Sequence, residues 1–339
     1  MKPHKKAVRV LMNKKIILGI LISITLVYLS FKGIHLQDVI SGLKNVQLSY
    51  VIFFLLIGAL VQYLRSYRWG IILQPMEKID QLSLFSVTSV GFLAIAAIPA
   101  RIGELARPYL ISQKSSIKMS SALGTIIVER VLDSFSVLTI AVVVLFFTDL
   151  PSWMIKSSII FFMIALAMFG FMLLMIFNRE TALKLIKMTV QKLPRKFAHK
   201  TDELIRHFID GFQIVTNIRL LLYLIFLSAF IWLTNVLSIY ILFLSFGFNL
   251  PVIASFVLMI ILIVGIAIPT APGFIGNWHF ACVLGLSLFG LAKVEALSFA
   301  VVYHFLSMIV LLVFGIGFMP FNKFSISDMK KKMNNTSTN

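Results

Sequence analysis

The chain has 339 residues, 59% hydrophobic and 13% charged, with a mean hydropathy of +0.97. Soluble domains carry roughly 25% charged residues, so this composition excludes a soluble enzyme or binding domain. It points to an integral membrane protein of helices, because the apolar runs are longer than a barrel strand needs.

The formal net charge of +18 would suit nucleic acid, but the basic residues flank apolar runs, which favours an anionic membrane surface and no nucleic acid. Lys2, Lys5, Lys6, Arg9, Lys14 and Lys15 precede an apolar run at 16–31. No small-x-small cleavage pattern follows Phe31, so the run reads as an uncleaved span rather than a signal peptide. Further apolar runs lie at 50–72, 82–98, 119–148, 157–177, 219–246, 252–268, 274–290 and 296–319. A span takes about 20 residues at 1.5 Å each. The runs 82–98, 252–268 and 274–290 are shorter, and each adjoins a Pro/Gly break.

If 82–113 and 252–290 are re-entrant hairpins, six full spans remain. The segments then placed in the cytoplasm carry 26 Lys/Arg against eight acidic residues, and those outside carry four against three. This is the asymmetry that the positive-inside rule expects. Both termini become cytoplasmic, and the two hairpins enter from opposite faces. The predicted fold is therefore an all-α integral membrane protein with six spans and two re-entrant hairpins in an inverted-topology repeat. It forms one membrane domain, with halves at 1–150 and 157–319. Taking 82–98 as a full span instead would put Arg101, Arg107, Lys114 and Lys118 outside. The stretch 178–218 reads either as a basic amphipathic helix on the membrane, with Leu183, Ile186 and Val190 on one side, or as a solvated connector. The polar tail within 320–339 is expected to be disordered.

Two motifs mark the hairpins: Ile-Pro-Ala-Arg-Ile-Gly-Glu at 98–104 and Ile-Pro-Thr-Ala-Pro-Gly-Phe-Ile-Gly at 268–276. The segments after them match at an offset of 174. Ala122 pairs with Ala296, Leu123 with Leu297, Val128 with Val302 and Leu132 with Leu306, which sets Glu129-Arg130 opposite Tyr303-His304. Pro99, Gly103, Pro269, Pro272, Gly273 and Gly276 imply two non-helical elbows. In a bilayer such backbone must be buried in protein or line water. A helix start at each elbow offers amides suited to an anion, and Gly lets a ligand approach; alternatively the glycines only permit the turns.

Arg101, Glu104 and Arg107 follow the first elbow at i, i+3, i+6 spacing, so they suit a lipid head-group phosphate or an interfacial ion-pair cluster. Glu129, Arg130 and Asp133 lie inside a span, and Ser121, Thr125, Glu129 and Asp133 form one polar stripe. Intramembrane charges mark proton coupling or a substrate path by default. The alternative is a structural pair, Arg130 with Asp133 or with Glu104 across helices. Asn277, His279, Tyr303 and His304 form a milder patch on the second repeat. The six His and single Cys282 show no metal-ligand spacing, and there is no nucleotide loop, so no metal or cofactor is expected.

The segments Ile-Pro-Ala-Arg-Ile-Gly-Glu-Leu-Ala-Arg-Pro-Tyr-Leu (98–110), Val-Glu-Arg-Val-Leu-Asp (128–133) and Ala-Pro-Gly-Phe-Ile-Gly (271–276) resemble the flippase-like membrane domain of the lysylphosphatidylglycerol synthase family, formerly the UPF0104 group. The resemblance runs in order over essentially the whole chain. Bifunctional members carry an additional aminoacyl-tRNA-dependent transferase, to which nothing here corresponds. The resemblance thus implies a lipid flippase or transporter in the bacterial inner membrane, not an enzyme. Its substrate would be a phospholipid or a polyprenol-linked lipid. The alternative it leaves is a membrane subunit working with a soluble aminoacyl or glycosyl transferase partner. Where many relatives carry an acidic residue after the second elbow, this chain has Asn277-Trp278-His279.

Overall fold

The computed structural model describes residues 19–43, 46–98, 103–148, 152–177, 217–267 and 271–322. Pro99, Arg101, Pro269, the basic N-terminal stretch, the connector at 178–216 and the tail from 323 lie outside the described residues.

The described residues are helical throughout, with no strand among them. In chain order the helices are α1 Gly19–Phe31, α2 Leu36–Leu43, α3 Leu48–Leu73, α4 Gln81–Ala97, α5 Ala106–Lys114, α6 Met119–Leu145, α7 Ser152–Phe177, α8 Ile218–Ser245, α9 Val252–Ala267, α10 Asn277–Ser287 and α11 Lys293–Phe318. By length and apolarity alone, α3, α8 and α11 with its 3-10 extension to Asn322 can cross a membrane. With 27 and 26 residues, α6 and α7 also have the length. The long–short–short–long order of α3 to α6 recurs in α8 to α11, with lengths of 26, 17, 9 and 27 against 28, 16, 11 and 26 residues. The last helix of each set begins at Met119 and Lys293, the same 174-residue offset that the sequence match gives.

Several helix ends are closed by side chains that pair backbone groups left without a partner inside the helix. Asp80 accepts the Ser83 N–H (2.8 Å) at the start of α4, and Asn217 accepts the N–H groups of Arg219 and Leu220 at the start of α8. Asn and Asp suit this position because a short side-chain oxygen reaches back to the free amides. The Lys293 ammonium donates to the carbonyls of Leu29 (3.0 Å) and Lys32 (2.8 Å) at the end of α1. Within helices, Ser30, Ser136, Thr139 and Ser228 donate to the carbonyl four residues back, which satisfies hydroxyls that lipid would leave unpaired.

Large apolar side chains form exposed stripes: Leu48, Ile52, Leu56 and Leu60 on α3, and Leu222, Phe226, Phe230 and Leu237 on α8. In water such continuous stripes would be association surfaces. Facing acyl chains, they need no cover.

The chain packs as two compact units. One comprises segments within Met1–Leu60, Phe92–Glu104 and Thr234–Gly317, the other Val61–Gly91, Leu105–Leu233 and Phe318–Asn339. Each draws on both halves of the sequence, so packing divides the chain along different lines from the repeat.

In the first unit, Phe243, Phe246, Phe248 and Phe299 form an aromatic core with ring centroids 5.1–6.5 Å apart. The α9–α10 hairpin is drawn tight by small residues, since a Cβ on Gly265 would lie 2.8 Å from the Ala281 Cβ. Asn277 closes it by donating to the Gly265 carbonyl (2.9 Å). In the second unit, Ile72 of α3, Val128, Val131 and Leu132 of α6 and Leu221 and Leu224 of α8 form one buried cluster. Here α5 and α7 both pack on α6, with Phe135 stacked on Phe169 at 4.4 Å.

Candidate functional site

The second unit encloses ionisable side chains from three helices. Ser121, Thr125 and Glu129 of α6 are buried; with Asp133, one turn further on, they make a single inward polar stripe, as four-residue spacing on a helix requires. Glu129 is bound by Arg107 of α5 through two parallel hydrogen bonds, Nη1 to Oε1 at 2.9 Å and Nη2 to Oε2 at 3.0 Å. Both side chains are 1% exposed. Asp133 is bound in the same way by Arg68 of α3, at 2.6 and 3.1 Å. The Arg68 guanidinium also lies 3.7 Å from Glu129 and donates to Ser228 Oγ at 2.7 Å.

Two tryptophans complete the enclosure. The Arg107 guanidinium carbon lies 4.3 Å from the Trp69 ring centroid, within cation–π range, and the Trp69 indole donates to Thr125 Oγ1 (3.0 Å). The Trp232 indole donates to Asp133 Oδ1 (3.0 Å). Arg107 can sit so deep because Gly91 of α4 has no side chain; a Cβ there would collide with the Arg107 Cγ.

Expectation and structure differ in the pairing. Arg130 binds neither Asp133 nor Glu104. Each carboxylate instead takes a guanidinium from another helix, Glu129 from Arg107 of α5 and Asp133 from Arg68 of α3, whose forks supply two donors each. Among the described residues the Arg130 guanidinium has no hydrogen bond or ion pair, and its Nε is buried. Arg65, one turn before Arg68, interacts electrostatically with Asp133, Arg68, Arg130 and Glu129. Its guanidinium carbon lies 6.0 Å from the Trp232 ring. The cluster thus gathers four guanidinium groups around two carboxylates.

Of the other candidates at the first elbow, Gly103 and Glu104 are among the described residues. Gly103 sits in a short 3-10 turn, where a Cβ would collide with the Ala94 carbonyl at the end of α4. Glu104 follows it, half-buried.

The second-repeat candidates lie together in the first unit. Gly273 (φ 72°), Phe274 (φ 59°) and Gly276 (φ 96°) turn the chain after Pro272 into α10. Ser23 of α1 clamps this turn: its hydroxyl accepts the Ala271 N–H (2.8 Å), and its carbonyl oxygen lies 2.6 Å from where a Gly276 Cβ would stand. His304 Nε2 donates to the Gly273 carbonyl (2.6 Å). Its ring lies 5.0 Å from that of His279, and Trp278 packs on Tyr303 at 5.0 Å.

Sequence reasoning missed Arg68, Trp69, Trp232, Ser228 and Ser23. For Arg68 the signal was present. It lies inside the apolar run at 50–72, as Glu129 lies inside that at 119–148. Ser23 carried no signal, since a lone Ser in an apolar helix is unremarkable.

Residues 16–315 match the family described as the lysylphosphatidylglycerol synthase TM region. The chain belongs to this family. It is also similar to UPF0104 membrane proteins. One, of Methanothermobacter thermautotrophicus, is 26% identical over 86% of this chain and 90% of the relative. Two of Methanocaldococcus jannaschii are 27% identical over 64% of this chain and 89% of the relative, and 25% identical over 88% and 92%. No solved structure matches the chain. Membership in the lysylphosphatidylglycerol synthase TM region family makes the chain a membrane protein with a lipid-related role, consistent with its apolar helices.

Proposed function

We propose that the chain is a lipid flippase or transporter. It carries an anionic head group, of a phospholipid or a polyprenol-linked lipid, across the cell membrane while the acyl chains stay in the bilayer. The observation that carries this reading is Arg130: a guanidinium in a helix of membrane-crossing length, with no ion-pair partner among the described residues, beside a cluster that already holds more guanidinium groups than carboxylates. A charge at that depth is costly without a counter-charge, and a head-group phosphate supplies one, with two oxygens that the planar guanidinium fork can bind together. The two bidentate pairs act as a frame that positions Arg130 and Arg65.

The proposed topology is six spans and two re-entrant hairpins in an inverted repeat, with both termini cytoplasmic. Its support is the recurrence of helix order and length between α3–α6 and α8–α11, together with the basic excess of the segments placed inside. The anionic inner leaflet is the surface those segments meet. No catalytic step is assigned to the chain.

The test is head-group translocation in proteoliposomes. Arg130→Gln is expected to abolish transport while the protein stays folded, and undiminished transport would sink the reading. A second reading, a membrane subunit of a lipid-modifying transferase, draws only on the synthase in the family's description. A modified lipid formed only when the chain is co-expressed with a soluble transferase would favour it.

A further inference from the structure

The second elbow holds hydrogen-bond donors that the arginine cluster does not use. Helix α10 has eleven residues and follows Gly276 (φ 96°, ψ −66°), with no side-chain cap. The Phe280 N–H bonds back to the Gly276 carbonyl at 2.9 Å. The amides of Trp278 and His279 come before that bond, at the positive end of the helix dipole.

Two side chains add independent observations. Trp278 Nε1 and His279 Nδ1 are buried and meet no hydrogen-bond partner, and His279 is 9% exposed. Side chains in a helix lean toward its N-terminus, so both rings lie at the end where the free amides are. Ring contacts agree with this. Trp278 and His279 both pack on His304, at 5.4 and 5.0 Å, and His304 is fixed to the Gly273 carbonyl in the turn that leads into α10. Burying such groups unpaired is unfavourable, so native sites that do so have a partner that satisfies them.

The donors define the ligand. Backbone amides and an indole N–H only donate, and His279 Nδ1 joins them when it carries the ring proton. The matching ligand is an oxygen-rich acceptor, and at a helix N-terminus the favoured acceptor is an anion. The cluster of Trp278, His279, Tyr303 and His304 contains no carboxylate to repel one. We propose that the N-terminus of α10, with Trp278 Nε1–H and His279 Nδ1–H, is a second phosphate-binding site, distinct from the arginine cluster. Its phosphate is either a lipid head group or the free ion. The proposal deepens the transport reading, because a head group released by Arg130 then has a second docking point on the same chain.

The experiment uses the full-length protein in a phosphate-free maltoside detergent, labelled with 5-fluorotryptophan. The probes are inorganic phosphate and dihexanoyl phosphatidylglycerol, with a short-chain diacylglycerol as the phosphate-free control. The Trp278 fluorine resonance, assigned by its loss in Trp278→Phe, is expected to shift saturably with at least one phosphate probe and not with the control. His279→Leu, read by the same resonance, removes one donor and should weaken this site by about tenfold or more. A shift with lipid only, with free phosphate only or with both supports the proposal and identifies the source. A resonance unmoved by either probe overturns it, since the buried atoms then have water alone as partner.

Arg130→Gln separates the two proposals. Retained binding at Trp278 with phosphate affinity at the arginine cluster also unchanged sinks the head-group reading alone. Loss at the cluster with an unmoved Trp278 resonance sinks the second site alone.

Discussion

Arg107 and Glu129 meet through two parallel hydrogen bonds of 2.9 and 3.0 Å, with both side chains shut away from solvent. A fork of this kind is a geometric requirement as much as an electrostatic one, because only a planar guanidinium presents two donors at carboxylate spacing. Arg107→Lys keeps the charge and loses one bond together with the flat contact on Trp69. The expected loss of stability is about 1.5–3 kcal/mol, the range for a hydrogen bond to a charged group. Reversible denaturation in mixed micelles measures it, and a loss under half a kcal/mol would mean that the fork contributes nothing beyond its charge.

Gly91 sets the depth of that arginine. An alanine methyl at 91 would occupy the volume of the Arg107 Cγ, so Gly91→Ala must displace the side chain that binds Glu129. Overpacking of this kind costs about 1–3 kcal/mol. Gly170→Ala is the control, because a Cβ there meets nothing within 4 Å. It should be neutral or slightly stabilising, as Ala is the better helix former. Thermal unfolding of the two variants side by side separates a packing effect from a general intolerance of change.

Asp133 and Arg130 should separate stability from function. Asp133→Asn removes the carboxylate that takes both Arg68 donors and the Trp232 indole. Breaking one side of a buried pair costs about 3–5 kcal/mol. Arg130 makes no hydrogen bond or ion pair among the described residues, so Arg130→Gln, which removes a charge that is costly at that depth, should not lower stability while abolishing head-group binding. A large stability loss from Arg130→Gln would assign it a structural role.

The all-helical membrane class was legible because composition and run length act through one strong constraint, the need to satisfy every backbone group in lipid. The breaks at Gly103 and Gly276 were legible because Gly marks a close backbone approach, as to Ala94 at Gly103, or a positive φ, as at Gly276. The partners of Glu129 and Asp133 were not. Periodicity along α6 reveals which side chains share a face, but which residue of another helix meets that face depends on packing. Arg68 lies 65 positions away from Asp133, and nothing local in the sequence links them.

At the start of α4, the Ser83 N–H bound to Asp80 holds that exposed carboxyl below its ordinary value of 3.8. A lowered value in the folded state means the ionised cap stabilises the helix above the ordinary value. That stabilisation is lost as pH falls through the lowered one. Asp80→Asn should keep most of the cap and flatten the acid side of the stability profile. Asp80→Ala should cost about 1 kcal/mol at neutral pH. Unfolding midpoints taken between neutrality and pH 3 test both, and an unchanged acid limb in Asp80→Asn would place the titrating group elsewhere.

Gly273 and Gly276 both have positive φ, yet they should respond differently to alanine. At Gly273 (φ 72°) a Cβ meets only Ile275 Cγ1, at 3.8 Å, so the expected cost is the backbone term alone, about 1–2 kcal/mol. At Gly276 (φ 96°) the same methyl would stand 2.6 Å from the Ser23 carbonyl oxygen, adding a clash of about 1–3 kcal/mol. Because the obstacle is the α1 backbone, Ser23→Ala cannot relieve it. That change alone removes the hydroxyl acceptor of the Ala271 N–H and should cost about 0.5–1.5 kcal/mol. The double variant Ser23→Ala/Gly276→Ala should therefore be at least as unstable as Gly276→Ala. Recovery of stability in the double variant would show that the hydroxyl, rather than the helix backbone, sets the tightness of the second elbow.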